Sequence, residues 1–370
     1  MKYPVNIPKI WGEEHKLVRD CLDSGWISSA GEYVNIFEDM LAKLTNRDYC
    51  TTVSNGTVAL EIAIKSLGLK KGDEVILPNF TIISALPTIL ELGLKPIFIE
   101  PTDGFNVCPL KLIEQISNKT KCIIITHIYC FPVDLDPLLA EARRRGIWII
   151  EDSAEMLGQH YKGKPCGSFG DISTFSFFAN KIITTGEGGA ILSNNISIHK
   201  KILKLKNLGF GKNRFIHHTF GTNARLTNLQ CALGIGQLKN LKKAVKIKKK
   251  IGKIYNKHLS RIDFFELQPA TKKYAENIYW VYPIILKKEG TKDFIIKELY
   301  NHGVDTRPFF YPLDHQPALK TFHINPIKKS NSNSLRLYEN GFYVPSGIGM
   351  NLEHIPQICD ILIKSSAKIF

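Results

Sequence analysis

From residue 50 to about residue 195, short apolar runs alternate with longer stretches of helical periodicity. The stretch SNGTVALEIAIKSLGL reads as a helix before a strand at residues 74–77, and residues 82–92 read as a helix before a strand at 96–99. Further pairs run through 122–126 and 147–150, with strands near 172–176 and 190–193. Such alternation predicts an α/β architecture: a large domain with a mainly parallel sheet and helices on both faces. Beyond residue 259 the pattern changes. NIYWVYPIILK alternates like a strand, FIIKELYNHG reads as a helix, and a last helix starts near His354, which together predict a small C-terminal α+β domain.

The two regions meet in QLKNLKKAVKIKKKIGKIYNKHL, residues 237–259. Leu238, Leu241 and Val245 recur at helical spacing, Lys248 falls where the next apolar residue is due, and Ile247, Ile251 and Ile254 continue along a different face. The expectation is one long helix with a solvated lysine face. The change of apolar face divides the chain into domains 1–245 and 246–370. KKSNSNS, residues 328–334, reads as a surface loop.

That helix holds much of the net charge of +15. It lacks the aromatic interleaving of single-strand binders, and no helix-turn-helix is recognisable, so nucleic acid is not the expected partner. A local share of the charge suffices to attract a polyanionic nucleotide. No run approaches the roughly 18 apolar residues that span a bilayer. MKYPVNIPKIWGEEHK is broken by prolines and charges before a signal-peptide core could form, so no membrane partner and a cytoplasmic location are expected. The eight cysteines show no metal-ligand spacing and read as free thiols, with no metal site.

The chemistry concentrates around Lys181, in SFFANKIITTGEGG. A lysine on an apolar approach is poorly solvated, which disfavours its ammonium form and frees an amine to form a Schiff base with a carbonyl. Asp152 follows the apolar run 147–150, and a carboxylate at the carboxyl end of a parallel strand points into the ligand crevice. Together they suggest a pyridoxal 5'-phosphate (PLP) site, with Lys181 holding the aldehyde and Asp152 pairing the pyridinium nitrogen. Ser54, Asn55, Gly56 and Thr57 open a helix, where free N–H groups favour a phosphate, and Ser176 offers a second hydroxyl to it. Glu155 could face the same cofactor. Each residue alone has an ordinary structural reading, and their order along the chain carries the argument.

Four blocks, SNGTVAL, KKGDEVILPNFT, IIEDSAEMLGQHYKGKPCGSFGDISTFSFFANKIITTGEGG and GTNARLTNLQCALGIGQL, resemble the successive signatures of the DegT/DnrJ/EryC1/StrS family of PLP-dependent sugar aminotransferases. The resemblance runs from Pro8 to about Pro345 and implies an aspartate-aminotransferase-like fold, PLP fold type I. It makes Lys181 the Schiff-base lysine and proton shuttle, and Asp152 the partner of the ring nitrogen. Asn55, Gly56, Thr57 and Ser176 would hold the phosphate. Ala154 would lie under the ring, Glu155 beside the ring oxygen, and Ile82 would replace an aromatic found in some relatives. Asn223 would reach the phosphate of the neighbouring subunit, so the resemblance implies a homodimer with active sites at the interface. The amino group would come from L-glutamate, with pyridoxamine 5'-phosphate as the cofactor form in the second half-reaction.

GWISSAGEYV, EDSAE and RPFFYPLDHQP look most like the branch that aminates C4 of GDP-4-keto-6-deoxymannose to GDP-perosamine, a precursor of surface polysaccharide such as O-antigen. Ser28, Ser29, Glu155, Arg307 and His315 are the candidates on the sugar and diphosphate side. Other members aminate C3 or C4 of UDP- or dTDP-linked sugars with nearly the same signatures. Dehydratases of the family carry histidine in place of the lysine, so Lys181 speaks against that activity. A regulator on the same fold would need a DNA-binding module, and the chain before the PLP region is too short for a winged helix. The chain departs from the pattern at Asp314, where relatives have histidine, at Cys130, where glycine is usual, and at Cys108, where aspartate is usual.

Overall fold

The computed structural model describes residues 1–369 except 212, 214 and 323. Strands β1 (Tyr49–Val53), β2 (Glu74–Pro78), β3 (Lys95–Ile99), β4 (Thr120–Thr126), β5 (Trp148–Asp152), β6 (Ile172–Ser176) and β7 (Gly189–Ser193) form one sheet in the order β1-β7-β6-β5-β4-β2-β3. Strands β2 to β6 pair in parallel. β7 runs antiparallel to both β1 and β6.

In chain order the helices of this region are α1 (Glu13–Ser24), α2 (Glu32–Thr45), α3 (Gly56–Ser66), α4 (Leu86–Glu91), α5 (Pro109–Glu114), α6 (Asp136–Arg145), α7 (Ile196–Lys206) and α8 (Asn228–Lys239). Alternate residues of each strand face opposite helical layers. Ile124 and Ile150 pack with α3, α4 and α7, whereas Ile123, Ile125 and Ile149 pack with α5 and α6. Strands buried on both faces explain the unbroken apolar runs.

The expected helix across 237–259 is two helices. α8 stops at Lys239, and α9 (Leu241–Leu259) starts after Asn240, whose amide donates back to the Gly236 carbonyl at 3.0 Å. Leu238, Leu241 and Ala244 belong to the core around α2 and α8, while Ile251, Tyr255 and Leu259 belong to a second core. The lysine face is not uniformly solvated: Lys248 is 2% exposed and donates to the Ser346 carbonyl.

The second core is built on a four-stranded antiparallel sheet, β8 (Phe265–Leu267), β9 (Tyr282–Leu286), β10 (Arg307–Pro308) and β11 (Gly341–Val344), in the order β8-β9-β11-β10. Helices α9, α10 (Lys292–Asn301) and α12 (His354–Ser366) cover it, and α11 (Asn333–Asn340) leads into β11. Within NIYWVYPIILK the strand begins only at Tyr282. Tyr279 sits in the left-handed region at φ 56°, and its N–H donates to the Asn277 side chain at 2.7 Å, a local turn that competes with the ladder. KKSNSNS is not a plain surface loop either. Ser332 caps α11 by accepting from the Leu335 N–H, and Ser334 is buried against Glu100.

The first residues of the chain are stitched to this smaller unit. Tyr3 bridges Val304, its hydroxyl donates to Gln357 in α12 at 2.6 Å, and the Ser346 N–H donates to the Val5 carbonyl at 3.0 Å. The Asn6 amide then reaches the Ala179 carbonyl, two residues before Lys181. Among the described residues, no helix is long and apolar enough to cross a membrane.

Candidate active site

At the carboxyl edge of the parallel strands lies a cavity of about 680 Å³. β4 contributes Thr126 at its end, β5 contributes Asp152, β6 contributes Thr174 and Ser176, and α3 presents its first turn. The smaller unit closes the opposite wall with Trp280, Pro308, Phe310 and Tyr343.

Lys181 lies in the turn between the antiparallel neighbours β6 and β7, pinned by the buried Ile182 and Ile183 that follow it. Its Nζ is 3.9 Å from the centre of the Trp280 ring, and the indole N–H of Trp280 donates to the Asn180 carbonyl at 2.8 Å. Burial lowers the Lys181 pKa, and the carboxyls of Glu155 and Asp152 oppose that shift. An amine in this setting gives up its proton more readily than a surface lysine.

Asp152 is 3% exposed. Its carboxylate accepts the Ala154 N–H at 3.1 Å and the hydroxyls of Thr126 and Thr174 at 3.5 Å. Burial pushes its pKa up, against the Ala154 N–H and Lys181. Glu155 is pushed by burial up to about 8, against Lys181 and the Tyr129 N–H. Behind Asp152, on the other face of the strand, Glu151 is buried and takes hydrogen bonds from Gly167, Phe169 and Gly170. His127 Nδ1 accepts the Val133 N–H, leaving Nε2 to donate to Glu151 at 3.2 Å. Burial raises Glu151, but the bonds from His127 and the loop outweigh it and bring the carboxyl down to about 2. This cluster, with Cys166 nearby, ties the 167–170 loop to the strand that carries Asp152.

The start of α3 forms a concave anion cradle. Asn55 caps the helix by accepting the Val58 N–H at 2.9 Å, and the Gly56 and Thr57 N–H groups have no intrahelical acceptor. A Cβ on Gly56 would stand 2.9 Å from the Ser176 Cβ, so glycine alone lets the helix approach β6 this closely. Thr57 and Ser84 hydroxyls meet at 2.8 Å on the rim.

The family model for the DegT/DnrJ/EryC1/StrS aminotransferases matches residues 8–363. The chain belongs to this family. It is 37% identical to the GDP-perosamine synthase of Escherichia coli O157:H7 and 38% identical to that of Vibrio cholerae, each alignment covering 97% of this chain and 98% of the relative. In fold it matches Helicobacter pylori PseC, an aminotransferase of pseudoaminic acid biosynthesis, with a TM-score of 0.93 at 23% identity over 100% of both chains.

The cavity of this aminotransferase fits PLP. A carboxylate waits for a cationic partner on one side, an anion cradle shaped by a glycine lies on another, and the Asn180 side-chain oxygen is buried with no partner in the protein. Asn55, Gly56, Thr57, Ile82, Asp152, Ala154, Glu155, Ser176 and Lys181 all line it. Ile82 is 53% exposed and offers an apolar surface.

Asn223 is exposed and lies outside this cavity, pairing with Asn207. Ser28, Ser29, Arg307 and His315 do not line it either. Ser28 accepts the Asn228 N–H through its carbonyl, and Arg307 is ion-paired to Asp305. His315 contacts Asp314, whose buried carboxylate takes the Asn79 amide and the Ile327 N–H, so Asp314 is a clamp on its own loop. Sequence reasoning missed Tyr129, Trp280, Phe310 and Tyr343. Aromatic residues in alternating runs carry no sign that they face a cavity.

Proposed function

We propose that this aminotransferase moves the amino group of L-glutamate to C4 of GDP-4-keto-6-deoxymannose and releases GDP-perosamine, a precursor for surface polysaccharide, in the cytoplasm. The substrate rests on one observation: the nearly full-length likeness to GDP-perosamine synthases at 37% and 38% identity. We further propose a division into a large unit, 1–245, and a small unit, 246–370, with the cavity between them.

Bound PLP would supply an aldehyde for attachment to Lys181 and a ring that takes up the electron pair left by a departing proton. In our reading Lys181 Nζ would hold the cofactor and would be the group that takes up and returns a proton beside it. Its lowered proton affinity suits that role, because a carrier works best when its pKa lies near the operating pH. Asp152 would pair the ring nitrogen and favour its protonated form. Gly56, Thr57, Asn55 and Ser176 would hold the phosphate, and Ala154 and Ile82 would offer apolar surface to the ring. Trp280, Phe310 and Tyr343 keep water from the reacting face. Asn223 would complete the phosphate site across a dimer interface. Contacts from Ser28, Ser29, Arg307 and His315 would require the nucleotide to extend beyond the cavity.

The test is an acceptor screen read by mass. With glutamate and PLP, the GDP-linked 4-keto-6-deoxymannose should gain one amine, and the UDP- and dTDP-linked 4-keto-6-deoxy sugars should react far more slowly. Preferential amination of a UDP or dTDP sugar would overturn the substrate.

A further inference from the structure

Two consecutive residues beside the cavity, Tyr129 and Cys130, hold left-handed backbone conformations at φ 53° and φ 62°. Neither is glycine, and a Cβ disfavours each such conformation through its approach to the following carbonyl oxygen. They are 1% and 0% exposed, so the surrounding structure must hold them there. The Tyr129 ring is wedged among Phe105, Phe309, Phe310 and Trp280, and the Cys130 carbonyl accepts the Gln159 amide at 2.6 Å.

Two other bonds from this turn end on one residue. The Tyr129 N–H donates to the Glu155 carboxylate at 2.6 Å, and the Cys130 thiol donates to the Glu155 main-chain carbonyl at 2.7 Å. The first aims the side chain and the second fixes the backbone from which it projects. A turn in relaxed β-region geometry would point both donors elsewhere. Strain maintained at this point in the fold therefore has one evident beneficiary, a carboxyl that lines the cavity.

We propose that the Tyr129–Cys130 turn positions Glu155 toward the cofactor ring, and through Glu155 sets the pH response of the chromophore bound at Lys181. This rests on the PLP reading above. The groups facing Glu155 are the Lys181 amine, the Asp152 carboxylate, the Tyr129 and Tyr343 hydroxyls and the Cys130 thiol. A charged Glu155 favours a protonated link at Lys181, and the Tyr129 N–H favours the charged form of Glu155. Loosening the turn thus makes the link lose its proton at lower pH.

The test is a spectral titration of PLP-loaded protein. Cys130→Ala removes the thiol donor, Cys130→Gly removes it and also relieves the backbone strain, and Cys130→Ser keeps a donor. The midpoint should fall by about one pH unit, a tenfold change in proton affinity, in the Ala and Gly variants and return in the Ser variant. In a Glu155→Gln background, Cys130→Ala should add nothing, since the turn acts through Glu155. An unchanged midpoint in both the Ala and Gly variants, with the chromophore intact, overturns the proposal and leaves the PLP reading standing. An equal shift in the Ser and Ala variants also overturns it. Failure of the unaltered protein to form any visible chromophore with PLP removes the underlying reading and this proposal with it.

Discussion

A single amine, Lys181, has a ring to pack against, two carboxyls to balance its charge and, in the proposed function, a cofactor to hold. Lys181→Ala should abolish borohydride-trapped PLP and lower turnover by at least about 100-fold, the range of a lost acid–base group. Mass analysis of the reduced protein checks the first outcome and a glutamate half-reaction the second. Asp152→Asn should keep the trapped cofactor but lose turnover, because a neutral amide no longer favours a charged ring nitrogen; retained turnover would contradict its assignment. Asp152 was legible in the sequence because an apolar run fixes its place at a strand end, and Lys181 because an apolar approach and a glycine-rich turn flank it. Trp280 was not legible. Its direction depends on the left-handed turn at Tyr279, held by the Asn277 side chain, within a run that reads as a continuous strand. Asp314 and His315 mark the opposite case, where a motif position expected near the sugar is occupied by a buried clamp.

In the proposed function the start of α3 grips the cofactor phosphate, while the α8–α9 region bears on stability. Gly56→Ala would bring a Cβ to 2.9 Å from the Ser176 Cβ, pushing α3 away from β6. Overpacking of this kind costs roughly 1–3 kcal/mol, so PLP affinity should weaken by about tenfold or more in an equilibrium titration. Lys248 gives a prediction in pH. Burial lowers its pKa to about 7 from 10.5, so between those values the unfolded chain binds more protons than the folded one. Its contribution to stability is therefore least below pH 7 and improves as pH rises towards 10.5, by up to roughly 1.4 kcal/mol per unit. Lys248→Met should raise the melting temperature more at pH 6.5 than at pH 9.5; an equal change at both would show that the amine does not titrate in this window. The strands were readable because parallel sheets demand unbroken apolar runs. The break at Asn240 and the burial of Lys248 were not, because a lysine that reaches one carbonyl at a junction looks like any other in a lysine-rich helix. The two serines in KKSNSNS were hidden for the same reason: Glu100, which binds Ser334, lies far away in the sequence.

At the scale of the whole molecule, Trp26, Ile27, Phe178 and Phe220 are exposed, and the proposed homodimer would need apolar surface of this kind to cover. Sedimentation at micromolar concentration should give a dimer. In mixed dimers of Lys181→Ala and Asn223→Ala chains, activity should exceed that of either parent, because one site regains both groups; no gain on mixing would count against a shared site. The mainly parallel sheet was within reach of the sequence pattern, but the order of its strands and the attachment of the first residues to the smaller unit were not, since no periodicity links Tyr3 to Gln357. That attachment has a mechanical consequence. Tension applied through Tyr3 and α12 would be borne first by their direct bond and the small sheet, while the large sheet hangs as a slack loop between the two anchor points. Under stretch, load would reach the Lys181 turn through the Asn6–Ala179 and Trp280–Asn180 hydrogen bonds.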